Sequence, residues 1–142
     1  MTVAPAGLDA IAAQVDERIS KLLDAERQRW SVVDGALAEP LDALHSLALR
    51  GGKRLRPAFC IAGFVSGGGE AGDRLCIDVA AGLELLHVFA LIHDDVMDGS
   101  AIRRRQPAVH RQFEALHAER GRRGEARRFG EGVAILVGDL AF

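Results

Sequence analysis

Asp94, Asp95 and Asp98 end an otherwise mostly apolar segment, Leu83–Asp98, and are the residues of this chain best suited to chemistry. Unpaired carboxylates at the end of a core helix are costly to desolvate, so something cationic must meet them. Asp94 and Asp98 stand at i and i+4, on one helical face and about one turn apart. Hard oxygen ligands set this sparsely suit Mg²⁺ that completes its coordination with a substrate phosphate. Two cationic segments flank the acids. Gly51-Gly52-Lys53-Arg54-Leu55-Arg56-Pro57 frees the backbone at a helix junction and then places three cations at a helix start, where unsatisfied N–H groups also favour anions. Arg103-Arg104-Arg105-Gln106-Pro107 follows the acids, and arginine suits bidentate diphosphate recognition. Alone, the first segment also reads as a solvated surface turn and the second as simple neutralisation of the acids. Together they call for two anionic substrate heads beside an apolar cavity.

The elements that must position these residues are helices, and no convincing period-2 strand is visible. Leu8, Ile11, Val15, Ile19, Leu22 and Leu23 form the stripe of a first helix, which Gly35 ends or kinks. A second helix over 37–49 carries Leu41, Leu44, Leu47 and Leu49 and stops at Gly51-Gly52. A third begins near Arg54, tolerates Pro57 in its first turn, and ends at Gly67-Gly68-Gly69. A fourth, over 73–98, is apolar around most of its circumference and should be central, about 40 Å long. A fifth follows Pro107. A sixth starts near Glu125 and is expected to run on through Val133, Ile135, Leu136 and Val137 to Phe142, which reads as a truncated domain spanning 1–142.

A chain of 142 residues can bury one core, and 49% hydrophobic with 27% charged residues is ordinary for a globular protein. A net charge of −2 argues against general nucleic-acid binding. The charge is uneven: residues 1–98 hold 15 acids and 9 bases, residues 99–142 hold 5 acids and 9 arginines. Cys60 and Cys76 fit no metal pattern and read as buried free thiols in a reducing cytoplasm. No signal peptide is visible, and Glu84, His87 and Asp94 interrupt the longest apolar run before the roughly 20 residues a bilayer span needs. A cytoplasmic protein is expected.

The ordered motifs resemble the trans-isoprenyl diphosphate synthase (polyprenyl synthetase) family: GGKxxRP, an apolar helix with a histidine, DDxxD, a four-residue spacer, then paired arginines. The resemblance covers essentially the whole chain and the N-terminal part of that family's domain. It implies an all-α, isoprenoid synthase-type helical bundle that condenses isopentenyl diphosphate with an allylic diphosphate as a homodimer. Lys53, Arg56, His87 and Arg104 would hold isopentenyl diphosphate, and His87 returns to the Asp94 face after seven residues. Asp94 and Asp98 would bind Mg²⁺ on the allylic diphosphate, with Asp95 supporting the metal cluster and Arg103 contacting that diphosphate. Ionisation to an allylic cation, attack by the alkene and loss of a proton would lengthen the chain by one isoprene unit, in a cavity dry enough to spare the cation.

In that family the positions four and five before the first aspartate act as the channel floor; here they are Ala90 and Phe89. This pair, with no insertion in the acidic motif, resembles short-chain geranylgeranyl or farnesyl synthases and points to geranylgeranyl diphosphate. Helical geometry alone favours Ala90, since Phe89 lies about 140° from Asp94 at about 100° per residue. The chain departs from the family pattern in two places. Arg105 stands where glycine usually follows the paired arginines, and no second Asp-rich motif follows Asp98, Asp139 being alone. The 142 residues by themselves are therefore expected to be inactive. Three other readings compete: a non-catalytic subunit of a longer synthase, a class I terpene cyclase, against which Gly51–Pro57 counts, and a plain helical interaction module.

Overall fold

The structure, a computed structural model, describes residues 7–142. Six helices follow in order: α1 Leu8–Ser31, α2 Ala38–Leu49, α3 Leu55–Ser66, α4 Arg74–Met97, α5 Val109–Glu119 and α6 Ala126–Asp139. The apolar stripes explain their packing. Ile11, Val15, Ile19 and Leu23 are the buried face of α1, while Leu8 is exposed and Leu22 only partly covered. Leu41, Leu44 and Leu47 are buried from α2, and Pro57, Ala58 and Ile61 from α3. Fully buried aliphatic side chains of this kind each contribute roughly 1.5–3 kcal/mol.

Helix α4 packs against α1, α3 and α6, and α5 and α6 form an antiparallel pair beside it. Asp73 caps α4 by accepting from the Cys76 N–H at 3.0 Å. Only one side of α4 is buried: Cys76, Ala80, Ala81, Glu84, Leu85, Val88, Ile92 and Asp95. The opposite side leaves Leu75, Val79, Leu86 and Met97 open. By length and composition, α4 meets the requirement for a bilayer span, contrary to the expectation from the interrupting polar residues. Packing against α1, α3 and α6 accounts for the apolar residues of its buried side.

Two other expectations are corrected. A minimal hairpin exists: β1 Ile102–Arg103 pairs antiparallel with β2 Gln106–Pro107. Two-residue strands are shorter than any alternation pattern can register. Helix α6 does not run to Phe142 but ends at Asp139, with the Leu140 N–H closing on Leu136 O at 3.0 Å. Both cysteines are free as expected, Cys76 buried and Cys60 partly so, and burial pushes the Cys76 thiol up. The question of a leader turns partly on residues 1–6, outside the described residues.

Candidate active site

The cationic loop is built around an arginine that faces inward. After α2, Gly51 (φ +65°) and Gly52 (φ +133°) reverse the chain, and Arg54 itself sits at φ +47° before α3. These left-handed positions are where glycine is favoured. A Cβ on Gly52 would also lie 2.9 Å from Arg54 Nη1 and 3.4 Å from Arg104 Nη2. Arg54 is only 3% exposed, yet each of its guanidinium nitrogens has an acceptor. Nε donates to Asp16 Oδ1 at 2.7 Å, Nη1 to Glu84 Oε1 at 2.6 Å, and Nη2 to Ala48 O at 2.7 Å. A buried charge with this many acceptors is stable, whereas either partner alone would not be. Turning Arg54 inward leaves its neighbours Lys53 and Arg56 exposed at the loop surface.

Arg104 reaches the same loop from the hairpin. Its Nη1 donates to Leu47 O (3.0 Å), Arg50 O (3.0 Å) and Gly51 O (2.6 Å), capping the C-terminal carbonyls of α2. Nη2 lies 3.9 Å from Glu84 Oε1. Burial, then Arg54, pushes the Arg104 pKa below its ordinary value. Lys53, Arg56, His87 and Arg104 line one cavity of about 110 Å³ together with Gly52, Arg54, Leu55 and Glu84. The four residues expected to hold one diphosphate thus converge from three elements. Burial, then Arg56, lowers the His87 pKa below its ordinary value.

The acids divide into two kinds. Asp94 and Asp98 are exposed at the end of α4. Asp95 is 2% exposed and is held by Arg103, whose Nε lies 3.0 Å from both carboxylate oxygens and whose Nη2 also donates to Oδ1. Hydrogen bonding to Asp95 raises the Arg103 pKa. The hairpin turn that aims Arg103 has Arg104 and Arg105 at φ +49° and +64°, the pattern of a two-residue turn with both central residues left-handed. This is the physical reason a glycine is at home at position 105.

Among the described residues, no three His, Cys, Asp or Glu side chains converge to form a complete metal cage. The donor set still fits Mg²⁺ of the substrate-sharing kind. Asp94 and Asp98 are two hard, solvent-facing carboxylates, leaving most coordination positions to water and phosphate oxygens. Below them, Ala90, Leu86, Leu83 and Val79 share the open side of α4, an apolar track that starts at the acids. Phe89 stands on the α4 flank towards α6, its ring 4.3 Å from that of His93 and 5.7 Å from that of Phe142.

Residues 38–142 match the family model described as polyprenyl synthetase. The chain belongs to the polyprenyl synthetase family. It is 38% identical to a short chain isoprenyl diphosphate synthase of Methanothermobacter thermautotrophicus over 125 residues, which is 88% of this chain and 33% of that protein. It is 37% identical to a geranylgeranyl diphosphate synthase of Methanosarcina mazei over 130 residues, 85% of this chain and 35% of that protein. The crystal structure of geranylgeranyl pyrophosphate synthase from Corynebacterium glutamicum, complexed with isoprenyl diphosphate and magnesium, superposes with a TM-score of 0.87 at 37% identity. That superposition covers 96% of this chain and 39% of the synthase. The all-α isoprenoid synthase-type fold is thereby shown. The chain spans about a third of the length of the curated relatives it matches.

The residues that the motifs did not single out are Glu84 and Asp16. Glu84 had a signal: one acid inside an apolar helix requires a buried cation. Asp16 had none, because its role depends on how α1 crosses the loop.

Proposed function

We propose that this chain is the N-terminal part of a prenyltransferase domain that condenses isopentenyl diphosphate with an allylic diphosphate, most simply to geranylgeranyl diphosphate. The observation that carries this reading is the convergence of Lys53, Arg56, His87 and Arg104 on one small cavity, on the helix that ends in Asp94 and Asp98.

In this proposal Lys53 and Arg56 supply mobile cations to the isopentenyl diphosphate head, and His87 donates a hydrogen bond to it from α4. Arg104 keeps Nη1 on the α2 carbonyls and offers Nη2 to the cavity. Asp94 and Asp98 would hold Mg²⁺, which when bound would supply Lewis-acid neutralisation of the leaving diphosphate. Asp95 acts through Arg103: it fixes the guanidinium by one edge and leaves the rest to face the developing diphosphate charge. The apolar track of Val79, Leu83, Leu86 and Ala90 carries the allylic chain and keeps water from the cation. Phe89 and Ala90 limit its length. The residues here form one wall of that channel, and a second acidic group elsewhere in the domain completes the ionisation site. The 142 residues alone should therefore bind a diphosphate without turning it over.

Calorimetric titration of isopentenyl diphosphate tests the cavity assignment. Single Lys53→Ala, Arg56→Ala and His87→Ala variants should each weaken binding by about tenfold or more, the loss of one charge-assisted bond. Binding that is unaffected in all three would remove it.

A further inference from the structure

His93 stands one residue before Asp94, yet its contacts lie on the other side of the helix. Its Nδ1 is 2.9 Å from Phe89 O, and since a carbonyl only accepts, Nδ1 donates. Its Nε2 lies 3.5 Å from Asp139 Oδ1 on α6. Its ring stacks tilted on Phe89, with centroids 4.3 Å apart and planes at 41°. Across the contact is Gly138, buried in α6 with ordinary helical geometry. A Cβ there would fall 2.4 Å from His93 Cε1 and 2.7 Å from Nδ1. Glycine inside a helix is unfavourable relative to alanine, and here the missing side chain makes room for the imidazole. Two independent features, a hydrogen bond and a glycine notch, therefore fix one ring beside the Asp139 carboxylate, and that ring rests against Phe89.

Resting on the reading of Phe89 as a limit to chain length, we propose that His93 is a positioning residue for product length. Held between Gly138, Asp139 and the Phe89 carbonyl, it keeps the Phe89 ring in one orientation. Specificity is then set at the α4–α6 contact and not by Phe89 alone.

The test uses the protein from its complete reading frame, with one allylic primer and excess isopentenyl diphosphate, and reads product lengths by chromatography. His93→Leu should raise the ratio of longer product to wild-type product roughly fivefold, the scale of one lost ring contact and hydrogen bond. Gly138→Ala, which leaves α4 untouched and displaces the ring, should shift it the same way, and it carries the test if His93→Leu folds poorly. His93→Gln, which keeps a donor, should partly restore the wild-type pattern. The KM for isopentenyl diphosphate should stay within about twofold in all three, since one head group is bound elsewhere. Adding His93→Leu to Phe89→Ala should change nothing further, because the effect runs through Phe89. Unchanged product lengths in His93→Leu and Gly138→Ala, or full additivity with Phe89→Ala, would overturn the inference. Absence of any prenyl product from the wild type would instead bring down the functional reading beneath it.

Discussion

Arg103 grips Asp95 with its Nε 3.0 Å from each carboxylate oxygen, tying the hairpin back to α4 across eight residues. Adjacent aspartates in one motif thereby receive different work. Asp95 is buried under an arginine, and Asp94 faces solvent. Asp95→Asn should therefore leave the Mg²⁺ concentration dependence of activity nearly unchanged while lowering kcat, because it loosens Arg103. Asp94→Asn should shift the Mg²⁺ dependence to higher concentration by about tenfold or more. Magnesium titrations of the two variants in the complete protein separate the roles, and identical shifts would contradict this division.

The Arg54–Glu84 pair predicts a stability effect. Both side chains are almost fully buried and 2.6 Å apart. Glu84→Gln leaves Asp16 as the remaining carboxylate on Arg54 and removes the one nearest Arg104, at a cost of about 1.5–3 kcal/mol. Denaturant unfolding should show this, with a much smaller loss for a surface pair such as Lys21–Glu17.

Acid sensitivity follows from two histidines. Burial lowers the pKa of His87 and of His110, and His110 Nδ1 is buried without a hydrogen-bond partner. Below an unfolded-state pKa of about 6.5 the unfolded chain takes up protons that the folded chain resists, so stability falls as pH falls. Thermal midpoints should be flat between about pH 7 and 8 and decline below about 6.5. His110→Asn should shallow that decline.

Diphosphate binding should show the opposite slope. An anion against His87 favours its imidazolium, so the bound pKa exceeds the free one and binding takes up a proton. Affinity for isopentenyl diphosphate should rise as pH falls from about 8 towards 6, and His87→Gln should flatten the profile in calorimetric titrations.

Arg105 occupies a left-handed turn position at φ +64° and is exposed. Replacing it with glycine relieves the steric cost at the expense of some unfolded-state entropy, a net gain of about 0.5–1 kcal/mol. A rise in thermal midpoint for Arg105→Gly is expected, and a fall would show that the arginine side chain holds the hairpin.

Much of this was legible in one chain. The stripes of α1, α2 and α4 are long and periodic, and the end of α2 carries its own glycine signal. The family resemblance implied a shared role for Lys53, Arg56, His87 and Arg104, and the four line one cavity. What was hidden depends on contacts distant in sequence. Nothing local to Arg104 says that one nitrogen caps carbonyls 53 to 57 residues away. Nothing local to Asp95 separates it from Asp94 except helical phase, and that becomes informative only once the core side of α4 is known. The end of α6 was misplaced because Leu140, Ala141 and Phe142 continue an apolar pattern without a breaking residue.

Prenyl transfer by this protein should depend on Asp94 and Asp98. The complete reading frame should be expressed and incubated with labelled isopentenyl diphosphate and a series of allylic diphosphates, with and without Mg²⁺. Labelled products lengthened by isoprene units should form only with Mg²⁺ and fall by about a hundredfold or more in Asp94→Ala and Asp98→Ala. No lengthened product from any primer, or product that persists at the wild-type rate in both variants, would contradict it.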